Sequence, residues 1–201
     1  MDPDNIGRIK DYTVEIVNGV GRNAAVFFPS YDMMGRFIKE GLDQEIEGPV
    51  FVESRDMSQA ELMQSVAGFR SSAGGTLFAV TGGRISEGID FPSRDLELAV
   101  IIGLPYPRPS YKKEALIRYA ENRYGNGWDA VVKTPMIRKV RQARGRLIRS
   151  EEDRGAAVVL DSRATQIPGF NAFPTDDPLK DVLSFFDGDL TPSSIAFRDS
   201  L

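Results

Sequence analysis

The run Gln142-Ala-Arg-Gly-Arg-Leu-Ile-Arg149 sets an amide, a glycine and three arginines within eight residues. Thr134 followed by Pro135 reads as an N-cap and first helical residue, so the sequence predicts a helix starting there. At about 100° per residue, Gln142, Gly145, Arg146 and Arg149 share one arc and Arg138 joins them. Ile137, Val140, Ala143, Leu147 and Ile148 take the opposite side, with Arg144 the one intruder. Such a helix packs by its apolar face and holds out a row of guanidiniums. Arginine offers forked donors matched to phosphate oxygens, and Gly145 removes a side chain where a ligand comes close. The chemistry on offer is a grip on a polyphosphate; the rival reading is a solvated basic face.

A second stretch, Thr81-Gly-Gly-Arg-Ile-Ser-Glu-Gly-Ile-Asp-Phe-Pro92, is a glycine-rich turn leaving an apolar run. Gly82, Gly83 and Gly88 let backbone amides approach a phosphate, and Glu87 and Asp90 add acceptors for water, a ribose hydroxyl or a metal-bound water. The opening Ala-Val-Thr-Gly-Gly83 also resembles the short-chain dehydrogenase fingerprint. Against that, Ser86 stands where the fingerprint has its middle glycine, and no tyrosine is followed by lysine four positions on.

The elements that must position these groups alternate. Apolar residues at helical spacing fill residues 6–20, and Ala24-Ala-Val-Phe-Phe28 is a short buried strand. Ser30 is an N-cap for a helix carrying Met33, Met34, Phe37 and Ile38. Strands are predicted at 49–52, 76–80, 96–102 and 156–160. A capping box at Ser58-Gln-Ala-Glu61 opens a helix with Leu62, Val66 and Phe69 inward, and another helix is predicted over 110–124. Beyond Asp161 and Arg163 the chain reads as loop, up to an amphipathic segment at 179–186 and a loosely anchored tail from about 188. This alternation predicts an α/β fold, a parallel sheet with helices on both faces, built as one domain over 1–201. Functional groups then collect beyond the carboxyl ends of the strands, where the loops at 29–31, 81–92 and 103–109 fall.

The 201 residues contain neither cysteine nor histidine. Disulfides, Cys/His zinc sites, a cluster held by cysteines of this segment and Ser-His or Cys-His nucleophiles are therefore excluded; no metal site is predicted. No apolar run reaches the ~18–20 residues of a membrane span, and no leader pattern opens the chain. An intracellular protein is expected, cytoplasmic in a prokaryote or nuclear in a eukaryote. The net charge of -4 argues against a non-specific nucleic-acid binder but is compatible with a local basic patch.

Taken together, Val26-Phe-Phe-Pro-Ser-Tyr31 resembles motif IV of superfamily 2 helicases, the turn at 81–92 motif V, and Gln142–Arg149, as Gln-x-x-Gly-Arg-x-x-Arg, motif VI. Val100-Ile-Ile-Gly-Leu-Pro-Tyr-Pro107 sits where that family has segment Va. Their order and spacing, over roughly residues 20–165, resemble the second RecA-like motor domain of XPD-like helicases, with bacterial DinG a more distant relative. The resemblance implies a domain of an ATP-dependent 5′-to-3′ DNA helicase of nucleotide excision repair. Arg146 and Arg149 would act as arginine fingers on the γ-phosphoryl group, and Gln142 would position the phosphate or the attacking water. Gly88 and Asp90 would face the nucleotide, with Glu87 linking nucleotide state to DNA grip. Ser30, Tyr31, Thr81, Gly82, Arg84 and Arg108 would touch single-stranded DNA without reading its sequence. Tyr106 is read as packing in preference to base stacking.

The chain has no Gly-x-x-x-x-Gly-Lys-Ser/Thr loop, no Asp-Glu-x-His box and none of the family's four cluster-binding cysteines. ATP and Mg2+ would thus be held mainly by a first motor domain, and the family's iron–sulfur cluster would lie elsewhere. The expectation is one half of a motor, inactive alone. The alternative is a catalytically passive docking module for regulatory subunits of a repair complex.

Overall fold

The structure, a computed structural model, describes residues 3–89, 91, 95–147, 154–167, 172–188 and 194–197. Its seven strands are β1 (Ala24–Phe28), β2 (Val50–Val52), β3 (Thr76–Val80), β4 (Leu98–Ile102), β5 (Ala156–Leu160), β6 (Ala172–Thr175) and β7 (Ser194–Phe197). All pair in parallel, in the order β2-β3-β1-β4-β5-β7-β6. The five predicted strands form one continuous block, with β4 starting at Leu98 and not at Leu96. The last two strands were not legible. Ala-Phe-Pro-Thr is short and proline-bearing, and residues 194–197, read from sequence as part of a loose tail, pair with β5 and β6.

Alternation along the strands divides the core. Ala25, Phe27, Leu77, Ala79, Ala99, Ile101, Ala157 and Val159 face helices α4 (Gln59–Ser71), α5 (Arg84–Gly88) and α7 (Thr134–Arg144). Ala24, Val26, Phe28, Phe78, Val100 and Val158 face α1 (Pro3–Val20), α2 (Tyr31–Lys39), α3 (Leu42–Glu45) and α8 (Pro178–Asp187). Strands buried on both sides read as unbroken apolar runs because every residue points into one layer or the other. Helix α6 (Tyr111–Tyr124) stands apart, with Ala120 its one buried residue.

Strand β1 lies between β3 and β4. In the dinucleotide-binding order of dehydrogenases it lies between the second and fourth strands, so the topology removes the dehydrogenase reading. Among the described residues no helix is long and apolar enough to cross a membrane.

Candidate functional site

The helix carrying Gln142 does not start at Thr134. The chain is already helical at residue 127, and Asp129–Lys133 form a π turn closed by the Thr134 N–H donating to the Asp129 carbonyl. Pro135 lacks an N–H, and its ring would crowd the carbonyl four residues back; the wider turn before it lets a proline stand inside a helix. Thr134 is therefore an interior residue and not a cap. Val140, Ala143 and Leu147 pack into the core as their spacing predicts; Met136 takes the place expected for Ile137, which is only partly buried, and Ile148 lies outside the described residues. The intruder Arg144 is half-buried, and burial, followed by the like charge of Arg141, lowers its pKa. Gly145 ends the helix, its N–H bonding the Arg141 carbonyl at 2.8 Å. Arg146 follows in the turn, so the expected ridge is a helix face up to Gln142 and a turn thereafter. Gln142 is exposed and lines, with Thr134, Ile137, Arg138 and Arg141, an open cavity of about 530 Å³. Arg149 lies outside the described residues.

The glycine-rich turn contains a short helix, α5, that the sequence reading treats as loop. Gly82 sits at φ 78°, and a Cβ there would meet Lys139 Cε of α7 at 2.9 Å. The Gly82 N–H donates to Ser86 Oγ at 2.7 Å, and Arg146 Nε donates to the Ser86 carbonyl at 2.8 Å. The structure thus brings motif VI against motif V through Ser86. Glu87 and Gly88 are exposed, and a Cβ on Gly88 would meet nothing within 4 Å. Its missing side chain leaves room outside the domain and serves no contact within it. Asp90 lies outside the described residues.

The residues assigned to the nucleic-acid strand sit beyond the carboxyl ends of β1, β3 and β4. Several are held by the domain itself. The Ser30 hydroxyl caps α2 by accepting from the Met33 N–H at 3.2 Å. Thr81 is 2% exposed and its N–H bonds the Phe28 carbonyl, so it shapes the turn from below. The Arg84 guanidinium donates to the Met57 carbonyl and to Gln59 Oε1. Arg108 pairs with Asp32, while Arg55 stands over the Tyr31 ring with its guanidinium carbon 5.2 Å from the centroid.

Two groups of residues were missed by the sequence reading. Glu53, at the end of β2 and 1% exposed, accepts from the Tyr31 hydroxyl, the Val80 N–H and the Arg84 N–H at 2.8, 2.9 and 3.0 Å. A Cβ on Gly83 would fall 2.9 Å from its Oε1, so this glycine admits the carboxylate. The second group is aromatic. Tyr106, Pro107, Pro109, Ile117, Trp128 and Arg163 line a cavity of about 620 Å³. Tyr106 is 40% exposed and Trp128 is 56% exposed, and the Arg163 guanidinium carbon stands 5.2 Å from the Tyr106 ring centroid. Buried Asp161 orients this group: it accepts from Arg163 Nε and from the Leu104 N–H, and this bond and charge raise the Arg163 pKa. Tyr106 thus packs against Arg163 while part of its ring stays open to the cavity. Its partners come from three separate chain segments, which no local pattern reveals.

The profile of the family described as "Helicase C-terminal domain" matches residues 13–175. The chain is 34% identical over 155 residues to the ATP-dependent DNA helicase chl-1 of Caenorhabditis elegans, covering 74% of this chain and 18% of that protein. It is 33% identical over 179 residues to a regulator of telomere elongation helicase 1 homolog of Drosophila yakuba, covering 81% of this chain and 18% of that one. It thus spans less than a fifth of these relatives' length. A solved structure titled XPD helicase superposes over 98% of this chain and 33% of its own, with a TM-score of 0.65 and 25% identity. The motif order, the RecA-like sheet and these matches agree: the chain belongs to the helicase C-terminal domain family, as an XPD-like superfamily 2 domain.

Proposed function

We propose that this domain is the C-terminal motor half of an ATP-dependent 5′-to-3′ DNA helicase, supplying arginine fingers and part of a single-stranded DNA track. The observation that carries this reading is the Arg146–Ser86 bond, which seats the motif VI arginine on the motif V turn. In this reading that arginine, with Gln142 and Gly88 both exposed, would meet a triphosphate presented from outside. There it would neutralise charge developing on the γ-phosphoryl oxygens; Arg149 would add a second guanidinium, and Asp90 an acceptor. Among the described residues no group of three or more acidic side chains is gathered to hold a metal ion. As the family resemblance implies, a first motor domain would supply Mg2+ and the phosphate loop. Nucleotide excision repair is the setting we favour, because XPD-like proteins define the resemblance.

The DNA track in this reading runs over Ser30, Tyr31 and the 81–84 turn to the Tyr106–Trp128 cavity. An aromatic pair with a guanidinium suits an unstacked base, whose π-face is sequence-independent. A docking role has one observation in its favour: Tyr111, Leu116, Tyr119 and Tyr124 of α6 are exposed. The deciding experiment adds a first motor domain of an XPD-like helicase in trans and measures ATP turnover with single-stranded DNA. Turnover lost by about 10³–10⁵ in Arg146→Ala is the expected result, the range for arginine fingers. Turnover indifferent to Arg146, with partner binding intact, would leave docking as the function.

A further inference from the structure

Ser86 is fully buried and bonded at both ends. Its hydroxyl accepts from the Gly82 N–H at 2.7 Å and donates to the Gly83 carbonyl at 3.2 Å, while its carbonyl accepts from Arg146 Nε at 2.8 Å. One residue therefore holds the turn proposed to meet DNA and the arginine proposed to meet phosphate. α7 reaches the same turn a second time, because the Lys139 stem lies against Gly82. Beneath, Ile85 is buried in the core and the Arg84 N–H is fixed on Glu53. A turn pinned below and clasped from the side cannot shift at one end alone, since a displaced Ser86 carbonyl carries its own hydroxyl with it.

We propose that Ser86 is a positioning residue that makes the nucleic-acid-facing turn and the phosphate-facing Arg146 one mechanical unit. This rests on the motor reading above for its meaning, but its structural half does not. When a ligand pulls the Arg146 guanidinium, the strain passes to the Ser86 carbonyl, tilts α5 and changes how firmly Oγ holds the Gly82 amide. Neither Arg146 nor Ser86 needs to touch DNA for this to alter grip.

The test uses the full 201-residue chain. Amide exchange of Gly82, followed by NMR, is compared between wild type and Arg146→Ala, a change at a partly buried side chain outside the core clusters. The Gly82 amide is expected to exchange about fivefold faster in Arg146→Ala, the loss of roughly one hydrogen bond, with amides of β1 unchanged. Unchanged Gly82 exchange overturns the proposal. The second arm measures binding of a fluorescent oligo-dT to Arg146→Ala, Ser86→Ala and the double variant. Residues acting through one link give non-additive losses, so a double variant no weaker than the weaker single one is expected; independent, multiplying losses overturn the link. Should the wild-type chain bind no oligo-dT, the DNA track fails while the exchange result still decides the unit.

Discussion

The Tyr31 hydroxyl donates a 2.8 Å hydrogen bond to Oε1 of Glu53, joining the first residue of α2 to the end of β2 across the intervening strand β3. The same carboxylate holds the Val80 and Arg84 amides, so its loss strands three donors at once. A buried donor left unpaired costs about 1–3 kcal/mol. Glu53→Ala is therefore expected to lower the unfolding free energy by about 3 kcal/mol or more, and Tyr31→Phe by about 1 kcal/mol. Urea denaturation of both variants checks this; a Glu53→Ala loss no larger than that of Tyr31→Phe would mean the amides find other acceptors.

The same contact sets a pH dependence. Burial first, and then the bond to Glu53, push the Tyr31 hydroxyl up to about 12 from its ordinary value of 10.0. The folded chain keeps this proton where the unfolded chain has begun to lose it, so the contribution is complete below a pH of about 10. It drains away as the pH climbs from about 10 to about 12. The stability advantage of wild type over Tyr31→Phe should be flat up to the lower limit and shrink through that window. A difference that stays constant across it would place the hydroxyl at an ordinary tyrosine value.

Arg108, assigned to DNA, is paired with Asp32, which also has Arg55 at 3.9 Å. The bond to Arg108, then its charge, holds the Asp32 carboxyl below the usual range, so the pair persists at neutral pH and competes with a phosphate. An exposed pair contributes little, so Asp32→Asn should tighten oligo-dT binding by at most about fivefold. The more telling quantity is the salt dependence, whose slope should steepen by about 0.7 for one added phosphate contact on a single strand. An unaltered slope would show that Arg108 lies off the track.

What could be read without coordinates divides along physical lines. The central strands were legible as short unbroken apolar runs because both of their faces are buried, and the inward face of α4 and most of that of α7 by the 3.6-residue pattern that one-sided burial writes. Motif VI was legible as chemistry, yet its geometry was not: a π turn before Pro135 has no local signature, and Arg146 falls past the helix end. Glu53 looks in sequence like any acidic residue after a strand, and only the fold reveals three donors converging on it. The grouping of Tyr106, Trp128 and Arg163 likewise exists only once the segments after β4 and β5 meet the helical turn that precedes α7.

Gly82 joins strain to contact. A non-glycine residue at φ 78° costs about 1–2 kcal/mol, and an added Cβ also meets Lys139 Cε. Gly82→Ala should destabilise by that conformational cost plus the clash. In a Lys139→Ala background the clash vanishes and the conformational cost remains, so the second Gly82→Ala loss should be smaller but not zero. Equal losses in both backgrounds, measured by urea denaturation, would show that the lysine stem simply swings away.

The Tyr106–Trp128 cavity offers the most direct readout, because Trp128 is the chain's single tryptophan. Its ring is more than half exposed, so removing it should leave thermal stability nearly unchanged. If a base stacks in the cavity, oligo-dT should quench the intrinsic fluorescence of the wild-type chain in step with binding. Stacking is worth about 1–3 kcal/mol per base by alanine substitution, so Trp128→Ala should weaken binding by about tenfold or more, while Trp128→Phe keeps most of it. Arg163→Ala should act in the same direction by uncovering the Tyr106 face and removing a cation from the rim. Asp161→Asn should follow it in part, since the guanidinium then loses the carboxylate that aims it. Oligo-dT binding that leaves the tryptophan emission untouched would route the strand elsewhere and return this cavity to the docking reading.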